Sequence, residues 1–251
     1  MRIRRTNSSP MRHPETIEFT ETPKAHSVQR MVSCRSYFQD EWVTIYHGDC
    51  REILPMLGKF DVMITDPPYG VNLGADGATS IGKTKYSLFE DTPEFVVNVC
   101  VPIIKYGIEN YGRVVLTPGT RNCFKYPEPT EMGAIFNPAG AGFSRWGFTC
   151  SQPILYYGKD PKPVKMPQSF ESTATCEKNG HPCPKPNKVM TWLVNRASNE
   201  GETIIDPFGG SGTTAMAAKD LRRKCVMIEL EERYCEMAAR RMAQDYLALG
   251  S

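Results

Sequence analysis

Apolar and polar positions divide the chain into an unpatterned start and a regularly built remainder. Residues 1–40 carry Arg2, Arg4, Arg5, Arg12, Lys24, Arg30 and Arg35 among Ser8, Ser9, Pro10, Pro14 and Pro23, with little apolar periodicity. Such a segment reads as a mobile basic tail. From Trp42 the texture changes. Residues 42–46 read as a strand, 50–57 as a short helix and 60–65 as a second strand. That strand stops at Asp66-Pro67-Pro68-Tyr69-Gly70, and a Gly-rich polar loop follows over 71–92. A helix over 93–111, broken late by Gly107, leads to a strand over 113–117. Residues 118–150 are dense in Pro, Gly, Asn and aromatic residues and read as an irregular insertion. A strand over 154–158 and a Pro-rich connector over 160–186 come next. The remainder alternates: helix 188–197, strand 203–205, helix 212–219, strand 224–229 and helix 232–249, the last with Cys235, Ala238, Met242 and Tyr246 on one face. Alternating strands and helices predict an α/β fold with a mostly parallel sheet.

Composition sharpens this only in part. A chain of 251 residues suits one or two domains, and it buries roughly 73% of its unfolded surface, enough for a core without staples. No apolar run approaches the roughly 20 residues of a membrane span, so an integral membrane protein is not expected. Thirty Lys+Arg against 28 Asp+Glu leave a formal charge of +2, so any polyanion site has to be local. The nine cysteines are odd in number and scattered, which predicts reduced thiols in a cytoplasmic protein.

In an open α/β sheet, ligands bind beyond the carboxyl ends of the strands. Three stretches fall there. Asp206-Pro207-Phe208-Gly209-Gly210-Ser211-Gly212-Thr213-Thr214 follows one strand and enters a helix, and Glu229 ends the next strand 17 residues beyond Gly212. Glycines allow close approach to the backbone, the helix start offers free N–H groups, and an acid in Glu229's place can accept from ribose hydroxyls. A nucleotide-like ligand is suggested, with a structural strand-to-helix turn as the alternative. In Asp66-Pro67-Pro68-Tyr69 the prolines fix φ and remove donors. A carboxylate and a carbonyl beside an aromatic face can accept both hydrogens of an exocyclic amino group while its ring stacks on the tyrosine. A proline turn with a core tyrosine is the alternative. The third stretch is His181-Pro182-Cys183-Pro184-Lys185-Pro186, where Lys185 suits a ligand carboxylate and a rigid exposed linker is the alternative. Cys176, His181 and Cys183 lack a fourth ligand and fit no common zinc spacing, so no metal is expected.

Together, and in this order, these three motifs resemble the β class of S-adenosylmethionine-dependent DNA amino-methyltransferases, which modify adenine N6 or cytosine N4. The likeness covers roughly residues 42–245. It implies a doubly wound, Rossmann-like, mostly parallel sheet with permuted motif order, a catalytic domain over 41–251 and a small target-recognition insertion at 118–150. By resemblance, Asp66 and the Pro67 carbonyl of the catalytic tetrapeptide Asp66-Pro67-Pro68-Tyr69 hold the amino group of a flipped base and Tyr69 stacks on its ring. Phe208, Gly210, Ser211, Gly212 and Thr213 then line the methyl donor, with Asp206 near its amino-acid end, Lys185 near its carboxylate, Glu229 on its ribose and Asp49 at its adenine. The implied reaction is direct displacement on the sulfonium methyl, without a covalent enzyme intermediate. Pro182-Cys183 is a disfavoured nucleophile because it lies inside the Lys185 motif. Adenine N6 in double-stranded DNA is the expected target, because the tetrapeptide begins with Asp. Cytosine N4 is the alternative; RNA or protein-amide methylation and an inactive DNA-binding subunit are more remote. Lys83, Lys85, Arg121, Lys125 and Arg145 are the expected phosphate contacts. A homodimer and a cognate restriction enzyme are compatible with the resemblance.

Overall fold

A computed structural model describes residues 35–71, 91–140, 143–144, 146–162, 165–172 and 185–248, those at 143–144 and 245–248 without their side chains. Lys83, Lys85, Arg145, Cys176, His181, Cys183, residues 1–34 and most of the 71–92 loop lie outside the described residues, as does the side chain of Tyr246. The sheet begins at β1 (Phe38–Gln39), two residues inside the stretch assigned to the tail. β1 turns back on β2 (Val43–His47) because the Asp40 carboxylate accepts from the N–H groups of Trp42 and Val43.

The remaining strands are β3 (Val62–Thr65), β4 (Arg113–Leu116), β5 (Glu131–Phe136), β6 (Phe143–Ser144), β7 (Gly147–Phe148), β8 (Ser151–Gly158), β9 (Phe170–Glu171), β10 (Thr203–Asp206) and β11 (Lys224–Glu229). Nine form one sheet in the order β1-β2-β11-β10-β3-β4-β8-β5-β9, and β6 and β7 pair separately. Strands β2, β11, β10, β3 and β4 run parallel, while β8 is antiparallel to both β4 and β5. The sheet is thus doubly wound and mostly parallel.

Successive residues send their side chains to opposite faces, and each face has its own core. Val62, Ile64, Ile204 and Met227 meet α4 (Asn187–Ala197), α5 (Thr213–Asp220) and α6 (Glu232–Ala248) on one side. Met63, Leu116, Ile205 and Ile228 meet α1 (Cys50–Ile53) and α3 (Val101–Asn110) on the other. All four residues of β3 are buried, as befits a central parallel strand covered on both faces.

Two expectations need correction. Gly107 does not break its helix. A continuous helical run passes through α2 (Pro93–Phe95), a π turn at Val96–Cys100 and α3, which extends to Asn110. A Cβ at Gly107 would lie 2.7 Å from Met63 Cε, so glycine permits the helix to approach β3. The π turn falls just before Pro102, which has no N–H for the regular ladder. Nor is 118–150 an irregular insertion throughout: β5 pairs with β8 from Glu131↔Tyr156 to Phe136↔Ser151 and is part of the main sheet. Gly133 and Ala134 conceal the strand in the sequence. Gly133 is required because the Gln168 carbonyl occupies the space a Cβ would need.

Winding reverses between β10 and β3. From β10 the chain passes through α5 to β11 on one side; from β3 it passes through α2 and α3 to β4 on the other. This is the switch point at which open α/β sheets place ligands.

Candidate functional site

β3 ends at Thr65, and the Asp66-Pro67-Pro68-Tyr69-Gly70 loop turns over the sheet's carboxyl edge. Gly70 adopts φ of +66°, a left-handed conformation that favours glycine. Its N–H donates to Asp91 Oδ1 at 2.6 Å, and the Val71 N–H donates to Asp91 Oδ2 at 3.2 Å. Asn122 Nδ2 donates to the carbonyls of Tyr69 (2.6 Å) and Gly70 (3.3 Å). Gly119 lies against the tyrosine ring, where a Cβ would be 2.7 Å from Tyr69 Cγ.

Asp66 is held through a single oxygen. Its Oδ1 accepts from Thr117 Oγ1 at 2.5 Å and from the Tyr69 hydroxyl at 2.8 Å, and the Lys185 ammonium lies 3.0 Å away. The ammonium also contacts the Tyr69 hydroxyl and stands 4.7 Å from its ring centroid. Lys185 therefore sits on the tetrapeptide itself. Among the described residues no donor reaches Asp66 Oδ2, which leaves it for a ligand.

Across the switch point, β10 ends at the buried Asp206, which accepts from Thr65 Oγ1 at 2.6 Å and from the Phe208 N–H at 3.1 Å. Burial pushes its carboxyl up to about 6, against the pull of its hydrogen bonds. The glycine turn then folds onto the end of β11. Gly209 N–H donates to the Ile228 carbonyl at 2.9 Å and Gly210 N–H to Glu229 Oε2 at 2.8 Å. The other oxygen, Oε1, accepts from the Glu231 N–H at 2.8 Å. Burial raises the Glu229 carboxyl to about 7, again opposed by those two backbone donors.

Asp49 caps α1, accepting from the Arg51 N–H at 2.8 Å and pairing with its guanidinium at 2.5 Å. The hydrogen-bonded arginine holds its carboxyl below the ordinary range.

One cavity joins the two halves. Its walls include Asp49, Asp66, Pro67, Pro68, Tyr69, Lys185, Asp206, Phe208, Gly210, Ser211, Thr213 and Glu229. Gly212 is the expected lining residue absent from that wall. At φ of +80° it faces α6, where a Cβ would lie 2.9 Å from that of Ala238, so its smallness serves helix packing. Arg121 and Lys125 are exposed around a 3-10 turn at Cys123–Lys125 and do not line the cavity. Sequence reasoning missed Arg51, Asp91, Phe95, Arg233 and Tyr234 on the wall, and the supports Thr117 and Asn122. None of these carries a local motif. Cys50 also reaches the wall, but burial pushes its thiol up to about 12, which makes it a poor nucleophile.

The geometry thus offers two sets of acidic acceptors about one cavity, one set next to an aromatic face. A family model described as DNA methylase matches residues 144–240. The type II methyltransferase M.HpaI of Haemophilus parainfluenzae is 26% identical over 225 residues, covering 75% of this chain and 69% of that protein. The DNA adenine methyltransferase YhdJ of Escherichia coli K12 is 24% identical over 253 residues, covering 82% and 84%. Among solved structures, the M1.HpyAVI–SAM complex superposes with a TM-score of 0.55 at 23% identity, covering 79% of this chain and 99% of the other. The cytosine-N4-specific PvuII DNA methyltransferase gives 0.59 at 16%, covering 82% and 88%. Motif order, sheet topology and relatives agree in making the chain similar to the N6/N4 DNA amino-methyltransferases, with the DNA methylase family model matching its residues 144–240.

Proposed function

We propose that this protein transfers a methyl group from S-adenosylmethionine to the N6 amino group of adenine in double-stranded DNA, by direct displacement on a flipped base. The observation that carries the reading is the single cavity joining the Asp66–Tyr69 loop to the glycine turn and Glu229.

The residues present fit the donor. Glu229 is fixed by backbone at both oxygens yet lies on the cavity wall, so its remaining lone pairs suit ribose hydroxyls. Phe208 and the glycine turn offer an apolar, close-approach surface, and Asp49 would meet the donor's adenine. Asp206 suits its ammonium group. Lys185 lies near enough to share the cavity, although its direct partners are Asp66 and Tyr69. When bound, S-adenosylmethionine supplies a sulfonium methyl group open to direct displacement.

On the target side, Asp66 Oδ2 and the Pro67 carbonyl accept the amino hydrogens while Tyr69 stacks on the base. An aromatic amine has its lone pair delocalised into the ring, so holding both hydrogens favours the geometry in which that lone pair attacks. Asp66 also stands where the proton released by the amino group can be accepted. Positioning and fixed charge supply the catalysis. Rotating the base out of the duplex costs a few kcal/mol, which stacking on Tyr69 offsets.

Adenine is favoured by the Asp at the head of the tetrapeptide, and the relative YhdJ is named as an adenine enzyme. The N4-cytosine reading has support in the PvuII neighbour, named cytosine-N4-specific. Incubation with S-adenosylmethionine and unmethylated genomic DNA, followed by mass spectrometry of the nucleosides, separates them. N6-methyladenine is expected; N4-methylcytosine would replace the target base, and neither product, with donor binding intact, would overturn the reading.

A further inference from the structure

The turn after β4 carries an arrangement that the cavity leaves unused. Asn122, Cys123 and Tyr126 are buried, whereas Arg121, Phe124 and Lys125 face solvent, Phe124 being 89% exposed. A ring held out in this way gains nothing from the protein's own core. Its root, in contrast, is fixed: the Lys125 N–H donates to the Asn122 carbonyl at 3.0 Å, and Cys123 Sγ contacts the Thr120 carbonyl at 3.3 Å. Asn122 is also the residue that grips the Tyr69 and Gly70 carbonyls, and Gly119 lies against the Tyr69 ring. The protruding phenyl group and the base-binding loop are therefore parts of one rigid body.

Chemistry narrows the partner. An aromatic ring between two cations suits a stack of bases between phosphates better than it suits an apolar protein face, whose own groups would leave Arg121 and Lys125 unpaired. Apolar side chains driven between base steps are a general means of unstacking a duplex.

We propose that Phe124 enters the DNA stack beside the extruded base, with Arg121 and Lys125 on the neighbouring phosphates, and so stabilises the flipped state. The proposal rests on the reading that a base is flipped onto Tyr69. Because the cost of extrusion is least for a mispaired base, a residue of this kind matters most when the target is correctly paired.

The test compares methylation rates on two synthetic duplexes carrying the target site, once that site has been mapped by sequencing genomic DNA methylated by the wild-type protein. One duplex has the target base paired and the other has it mispaired. Phe124→Ala is expected to lose tenfold or more on the paired duplex and to regain most of that on the mispaired one, with thermal stability unchanged. Phe124→Trp, which keeps a stacking surface, is expected to retain activity on both. Equal losses on the two duplexes would make Phe124 a support of the Tyr69 loop and overturn the proposal, as would an unchanged rate on the paired duplex. Failure of the wild-type protein to methylate any DNA would instead remove the reading beneath it.

Discussion

The two halves of the cavity are built by opposite means. On the Glu229 side, a nearly contiguous strand-turn-helix segment shapes the wall with backbone, using glycines where other chain elements come close. On the Asp66 side, four loop residues are clamped by polar side chains from far along the chain, Thr117 lying 51 residues from Asp66 and Lys185 lying 116 from Tyr69. A backbone-built wall can accept a ligand's hydroxyls and charges without rearranging. A clamped loop fixes a small number of acceptors in the geometry that a reaction needs. On the function proposed above, the difference gives recognition of the donor to one half and activation of the target to the other.

Asp66→Ala is the severest test of this division. Methyl transfer is expected to fall by at least about 10²- to 10³-fold, while donor affinity measured by calorimetry stays essentially unchanged; loss of both would mean that the halves are not separable. Glu229→Gln inverts the pattern. Replacing an acceptor oxygen by an amide donor is expected to weaken donor binding about 10- to 100-fold, with DNA affinity by anisotropy unaltered. Thr117→Val keeps Asp66 but removes one of the donors to Oδ1. A fall of about tenfold in kcat without a change in donor affinity is expected, and an unchanged kcat would show that the remaining contacts suffice.

The smallest effect concerns acidity. Asp206, raised to about 6, and Glu229, raised to about 7, hold protons in the folded state that an unfolded chain would release. Their contribution is fully present below the ordinary carboxylate range and is lost as pH rises through these values. Asp49, Asp61, Asp160 and Glu202 are shifted down, so their contribution fails only on acidification below the ordinary range and does not oppose the trend near neutrality. The melting temperature of the ligand-free protein is expected to drop by a few degrees from pH 5 to 8. An Asp206→Asn/Glu229→Gln variant should flatten the slope; an equally steep one would place its origin elsewhere.

The same contrast decides what could be read from the sequence. Buried parallel strands announce themselves as short apolar runs, as in Val62-Met63-Ile64 and Ile204-Ile205, and the glycine turn with its acid is local enough to be recognised. Asp91, Thr117 and Asn122 are ordinary polar residues whose role depends on distances that only the folded sheet sets. β5 escaped notice because Gly133 and Ala134 weaken its apolar pattern, and what makes it a strand is its register with β8. Gly212 misled for a related reason. A glycine in a motif marks a close approach, but the approaching group can be Ala238 of a helix as readily as a ligand.

The hydrogen bond from Thr65 to Asp206 spans 141 residues, and it belongs to the pair of strands on which the whole cavity depends. During synthesis, at roughly 5–20 residues per second, the tetrapeptide is made well before the strand that must lie beside it. A nascent chain ending near residue 200 has its Asp66–Tyr69 loop but lacks β10 and the glycine turn that form the other half of the cavity. Such long-range closure is slow compared with local helix formation. Methylation competence is therefore a late event in the life of the polypeptide, arising from the final strands rather than accumulating as the chain grows.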